Sequence, residues 1–230
     1  KIESLSEKFV QSCKNLYSLN LSNNCITQIP ESFECPSNIT RIDLSNNNLT
    51  SLPIPFLKSS TIENLNLSHN QLRSLEPFKF RQLRYFNLSH NQLTELPDSF
   101  DSSSFLTQLH LAFNKLTDLP HSLSACCYLS DLNCTSNLFT HVPRVVFSLG
   151  SLKSLVFSGN VLTTIPVSLN ALLTLTNFDF SNNNLTSIPS FLSNMNDLKS
   201  ISFSHNRISK VDIVFPSKLQ SLDLSFNCIE

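Results

Sequence analysis

One string, L-x-x-L-x-L-x-x-N-x-L, returns ten times along the chain and constrains its fold more than any other feature. It occupies 16–26, 39–49, 62–72, 83–93, 106–116, 129–139, 152–162, 175–185, 198–208 and 219–229, with Ile, Phe or Cys replacing some leucines. The motif asparagines are Asn24, Asn47, Asn70, Asn91, Asn114, Asn137, Asn160, Asn183, Asn206 and Asn227, separated by seven intervals of 23 residues and two of 21. A fixed period of this length specifies a solenoid, in which each coil buries its apolar side chains only by stacking on its neighbours.

The local chemistry of one unit indicates its shape. Residues of an extended segment alternate sides, so the L-x-L leucines, such as Leu19 and Leu21 or Leu65 and Leu67, point inward while their neighbours point out. The motif asparagine follows where the chain leaves the strand, and its amide carries donors and an acceptor for backbone groups unpaired in that bend. Ten of them are expected to form an internal ladder. Proline then fixes φ and lacks an N–H, which suits an irregular return segment and not a second ladder strand.

Most units continue as L-x-x-L-P-x-x-h, as in ITQIPESF (26–33), LTSLPIPF (49–56), LTELPDSF (93–100), LTDLPHSL (116–123) and LTTIPVSL (162–169). With these motifs the chain resembles the leucine-rich repeat family over essentially its whole length. The 23-residue unit with its LP continuation is similar to the intracellular repeats of Ras-binding and signalling scaffolds. The resemblance implies an α/β solenoid, a curved horseshoe with a parallel β-sheet on the concave face. Short 3₁₀, helical or extended segments form the convex face. The two short intervals, through 72–83 and 208–219, lose the LP and are expected to be more extended on that side.

The whole of 1–230 reads as one domain, with a partial repeat at 1–15 in which Ile2, Leu5 and Phe9 align with Ile26, Ile29 and Phe33. The final motif breaks off after Ile229 and neither end carries an atypical capping unit, so the chain is expected to be a segment of a longer protein with neighbouring domains.

Composition excludes several function classes. Gly150 and Gly159 are the only glycines, which removes the phosphate-cradling and nucleophile-elbow motifs that need glycines close together. A formal net charge of −1 provides no general attraction for nucleic acid, and no apolar run is long enough to insert in a membrane. No cofactor is expected. The seven cysteines, Cys13, Cys25, Cys35, Cys126, Cys127, Cys134 and Cys228, have neither metal-binding spacing nor the clustering of a disulfide cap, which favours reduced thiols and a cytoplasmic setting. Sequons at Asn20, Asn38, Asn48, Asn66, Asn87, Asn133 and Asn184 represent the alternative, an extracellular ectodomain, though most arise from NLS and NLT within the repeat.

Other candidate chemistry is weaker. His69, His90 and His110 come from consecutive units, but the spacing places no carboxylate or thiolate in the adjoining register to complete a metal site. The column Ser22, Ser45, Ser68, Ser89, Ser158, Ser181, Ser204 and Ser225 reads as small residues at strand exits. Asp43, Asp131, Asp179 and Asp223 face outward without forming an acid–base pair, so no catalytic residues are expected in this segment.

The resemblance implies instead that the concave sheet recognises a protein partner. The positions around the leucines of the third to fifth units supply Asn64, Asn66, His69, Tyr85, Asn87, His90, Gln108, His110 and Phe113, which with Arg41, Asp43 and Arg84 nearby make up the candidate binding surface. A second, apolar patch gathers Leu138, Val156 and Val161 around Gly159. By resemblance, such a module scaffolds or targets a larger intracellular signalling protein carrying a phosphatase, kinase or cyclase domain, or binds a small GTPase.

Overall fold

The computed structural model describes residues 1–12 and 14–230, so Cys13 lies outside the described residues. A short helix α1 (Glu7–Ser12) precedes ten three-residue strands. These are β1 (Ser18–Asn20), β2 (Arg41–Asp43), β3 (Asn64–Asn66), β4 (Tyr85–Asn87), β5 (Gln108–His110), β6 (Asp131–Asn133), β7 (Ser154–Val156), β8 (Asn177–Asp179), β9 (Ser200–Ser202) and β10 (Ser221–Asp223). They form one parallel sheet in chain order. Each strand pairs in the register of the repeat, as in Leu65 with Phe86 and Phe86 with Leu109. The result is the curved solenoid that the period required.

The central residue of each strand points into the stack. Leu19, Ile42, Leu65, Phe86, Leu109, Leu132, Leu155, Phe178 and Ile201 are all buried there. Above them the asparagine ladder closes each bend. Oδ1 of Asn137 accepts from Leu116 N–H (3.0 Å), while its Nδ2 donates to the carbonyls of Leu111 (3.0 Å) and Cys134 (3.1 Å). The same three-way pattern recurs at Asn47, Asn70, Asn91, Asn114, Asn160, Asn183, Asn206 and Asn227. Asn24 accepts from Ile2 N–H at 2.9 Å, so Ile2 stands where Ile26 stands one unit later.

On the convex side the LP prolines start short turns of helix. Helix α2 (Ile54–Leu57) follows Pro53, and 3₁₀ turns at His121–Ala125, Arg144–Ser148, Val167–Ala171 and Ser190–Asn194 follow Pro120, Pro143, Pro166 and Pro189. A further 3₁₀ turn covers Phe100–Ser103. As expected, 72–83 and 208–219 contain no helix. The stretch 26–38 differs from expectation: in place of a helical turn after Pro30 there are two isolated turns, one at Glu31–Ser32, closed by Phe33 N–H on Pro30 C=O at 2.9 Å, and one at Ser37–Asn38, closed by Ile39 N–H on Pro36 C=O at 3.1 Å. Pro36 accounts for it, since it has no N–H to give and disfavours a helical Cys35.

Phenylalanines fill the interior where the coil changes length. Phe78, Phe80, Phe86 and Phe100 are fully buried, with Phe78 edge-on to both Phe86 and Phe100. Cys126 and Cys134 serve as small apolar residues of this core. Burial pushes the Cys126 thiol up to about 12 and raises Cys134 as well, so both stay protonated at neutral pH.

Candidate functional site

The outward residues of β2 to β6 form two rows. In one, Arg41, Asn64, Tyr85, Gln108 and Asp131 stand side by side; in the other, Asp43, Asn66, Asn87, His110 and Asn133 do. A shallow concavity of about 450 Å³ opens over β1–β4 between these rows, bordered by Arg41, Asp43, Asn64, Asn66 and Tyr85.

The second row has a structural task that the sequence reading missed. Asn20, Asp43, Asn66, Asn87, Asn133, Asp179 and Asp223 each use Oδ1 to accept the backbone N–H two residues on. Each thereby caps the strand exit with an Asx turn. Half of each side chain is committed, and what remains available is the other carboxylate oxygen or the amide NH₂. Asn66 spends its Nδ2 on Asp43 Oδ2 (3.4 Å), and Asn87 on the Tyr85 hydroxyl (3.2 Å). His110, Val156 and Ser202 stand in this row without that oxygen, which marks them as departures from the repeat.

His110 lies between two diagonal neighbours. Its ring meets Tyr85 at 5.4 Å between centroids with planes 63° apart, and its Nε2 lies 3.9 Å from Asp131 Oδ2. The register partner of His110 is Asn133, so the carboxylate comes not from the adjoining register but from the diagonal, where the long imidazole side chain crosses from β5 to the first residue of β6. The Nε2 atom is buried and makes no hydrogen bond. With Thr40 Oγ1 it is one of two buried side-chain polar atoms among the described residues that lack a hydrogen-bond partner.

His69, His90 and Phe113 belong to a different place. They sit in the turn after the strand, immediately before the motif asparagine, with φ of 55°, 55° and 56°. Asn23, Asn46, Ser136, Asn182, His205 and Phe226 hold the same left-handed conformation in their units, and Gly159 does so with φ 68°. The three rings stack in sequence, His69 on His90 at 3.9 Å and 12°, His90 on Phe113 at 4.2 Å and 13°. The signal was present in the sequence: Asn, His and Gly dominate this position, and these residues accept positive φ more readily than most. Arg84 is not brought into the concave rows; it precedes β4 and its guanidinium lies over the Phe105 ring at 5.8 Å, with Phe105 stacked on Tyr128 at 6.3 Å.

Burial, and then the charge of His69, hold the His90 pKa below the ordinary 6.5. The folded protein therefore binds fewer protons than the unfolded chain as pH falls through that value, and stability declines. Lowering pH from 7 to 5 is expected to shift the urea midpoint downward, and His90→Asn, which keeps a residue suited to positive φ, should reduce that shift. Asp98, Asp197 and Asp223 titrate below their ordinary 3.8, held down chiefly by hydrogen bonds from Ser122, Lys218 and Ser225, and so leave this window unaffected. A midpoint equally pH-dependent in both proteins would contradict the assignment.

Family sequence models described as leucine rich repeat match residues 1–49, 60–116, 174–195 and 216–230, more than half of the chain. The chain belongs to the leucine-rich repeat family. No curated protein matches it. Among solved structures it is similar to the plant peptide hormone receptor RGFR1 in complex with RGF2, at 29% identity and a TM-score of 0.82. That match covers 98% of this chain and 38% of the receptor. It is similar to an internalin (InlF) from Listeria monocytogenes, at 23% identity and 0.82, covering 96% of this chain and 64% of that one. The TLR13–ssRNA13 complex matches at 24% and 0.80, covering 94% and 33%. The latter two likenesses establish the fold alone. This leucine-rich repeat chain thus spans well under two thirds of the receptor and TLR13, and slightly under two thirds of the internalin.

Proposed function

We propose that this chain is a non-catalytic protein-recognition module that holds its partner against the concave sheet, as the scaffolding or targeting region of a larger intracellular signalling protein. Tyr85, His110 and Asp131 carry this reading. Tyr85 and His110 are only partly covered, are placed by consecutive strands of a rigid sheet, and leave the buried Nε2 of His110 without a partner. Large side chains held in one geometry lose little entropy on binding, so they make strong anchors. The leucine-rich repeat fold is generally a binding frame, and the rows of amides and hydroxyls around these anchors suit a polar, backbone-rich ligand surface. A neighbouring phosphatase, kinase or cyclase domain, or a small GTPase as partner, fits this role.

A second reading, the ligand-binding ectodomain of a cell-surface receptor, is favoured by the 29% identity to a peptide hormone receptor. Treatment of the native protein with an endoglycosidase separates the two readings: a mobility shift demands the ectodomain, and unchanged mobility supports the intracellular module. For the site itself, affinity capture with the intact chain is compared with a Tyr85→Ala, His110→Ala variant. Loss of two central anchors is expected to weaken partner recovery by about thirtyfold or more. Equal recovery would remove the concave centre as the binding surface.

A further inference from the structure

The left-handed column before the motif asparagines is a stacking device. Wherever two consecutive units supply rings there, the planes lie nearly parallel: His69 with His90, His90 with Phe113, and again His205 with Phe226 at 4.1 Å and 11°. The backbone repeat sets this spacing, because the residues share one register and one φ. After Phe113 the column carries Ser136, Gly159 and Asn182, so for three units the chain supplies no ring. The Ser136 hydroxyl lies over Gly159, where an added Cβ would fall 2.9 Å from its Oγ. The glycine thus lets the serine settle to the side away from Phe113. Phe113, covered on one face by His90, remains 48% exposed.

A second departure from the repeat falls on the first two of these units, those of Ser136 and Gly159. The residue after the motif asparagine is polar in Asn48, Gln71, Gln92, Lys115, Asn184 and Arg207 and is a cysteine in the first and last units (Cys25, Cys228), but it is Leu138 and Val161 beside the ledge. Both are more than 40% exposed. The two large aliphatic residues of this flank therefore stand in the two units that follow Phe113, beside its half-exposed ring.

We propose that the ledge of Ser136 and Gly159 is a binding site for one aromatic side chain of a protein ligand, which stacks on Phe113 as the next ring of the column with Leu138 and Val161 at its edge. It rests on the reading that this module binds protein, and it names one feature the partner must carry. Stacking fixes the occupant as planar, and the near-neutral chain, with no concentration of basic residues around the ledge, favours a side chain over a nucleobase.

The chain has no tryptophan, so the fluorescence of N-acetyl-tryptophanamide reports the probe without background. Its anisotropy is expected to rise saturably, with a Kd on the order of 1 mM, and N-acetyl-leucinamide should not displace it at equal concentration. Ser136→His fills the ledge with the chain's own ring in a conformation that His69, His90 and His205 already adopt. Phe113→Asn removes the stacking face while keeping a residue that Asn46 shows is accepted. Each is expected to lower probe affinity about tenfold, with urea midpoints near that of the parent, whereas Tyr85→Ala leaves affinity unchanged. Absence of saturable binding, equal displacement by the leucine amide, displacement by a single-stranded oligonucleotide, or indifference to both ledge variants would overturn the proposal. Partner capture that falls with Tyr85→Ala, His110→Ala but not with Ser136→His removes the ledge and leaves the concave reading standing. Capture that falls only with Ser136→His does the reverse.

Discussion

Asn137→Ala is expected to lower stability by about 4 kcal/mol, measured by urea unfolding with the slope held common to both proteins. The truncation leaves the buried Leu116 N–H without its acceptor and takes one of two amide donors from each of the carbonyls of Leu111 and Cys134, which keep Asn114 and Asn160. Each lost buried partner costs about 1–3 kcal/mol, reduced at the two carbonyls because each keeps the amide of a neighbouring ladder asparagine, and reduced further if water enters the cavity. Asn137→Asp separates the two halves of the amide. The carboxylate still accepts from Leu116, but it has no N–H for the two carbonyls and brings a negative charge against them. It should destabilise more than alanine at pH 7, and less as pH falls and the acid becomes a donor. Equal loss for both variants at all pH values would show that the ladder acts by volume alone. Because coils contact only their neighbours, the damage should begin around the sixth unit, visible as hydrogen exchange in 111–139 before the ends.

The ladder was readable in the sequence because a side chain that must satisfy the same bend in every coil leaves the same letter at the same interval. So was the alternation at Leu65 and Leu67, and the extended return at 72–83, which lost its LP pair. The candidate site was less readable. Periodicity shows that Tyr85 faces out, but not that Asn87 is turned toward its own strand exit and toward the Tyr85 hydroxyl. Consensus-like Asn and Asp in the second row looked available for a partner, although each was already serving as a cap. His69 and His90 looked like sheet residues because the motif does not state backbone handedness; the left-handed turn lifts them out of the sheet and into a stack. The diagonal reach from His110 to Asp131 depends on side-chain length and rotamer, which no spacing rule contains. In each case the missed fact concerns where a side chain goes after its position on the coil has been set.

The same separation of position from packing makes Phe80 the most sensitive core residue of the shortened unit. Without the LP turn, the return segment 72–83 is two residues shorter, and Phe78 and Phe80 fill the interior that a helical turn fills elsewhere. Phe80 touches rings on both sides of the step, Phe56 at 6.3 Å and 88°, Phe86 at 6.2 Å and 83°, and Phe78 at 5.2 Å. Phe80→Ala is expected to cost about 4 kcal/mol, the upper part of the usual range for a buried phenylalanine. The neighbouring coils are tied by the sheet and the ladder and cannot close around the cavity. Phe80→Leu keeps most of the volume and loses chiefly the edge-to-face contacts, so a cost of about 1–1.5 kcal/mol is expected. The contrast is with Leu75→Ala in the same unit, a residue 7% exposed near the surface of the coil, where relaxation is easier and about 2 kcal/mol should be lost. If Phe80→Ala and Leu75→Ala cost the same in urea unfolding, the shortened coil is no more rigidly packed than the others, and its missing turn has been absorbed by the backbone and not by these rings.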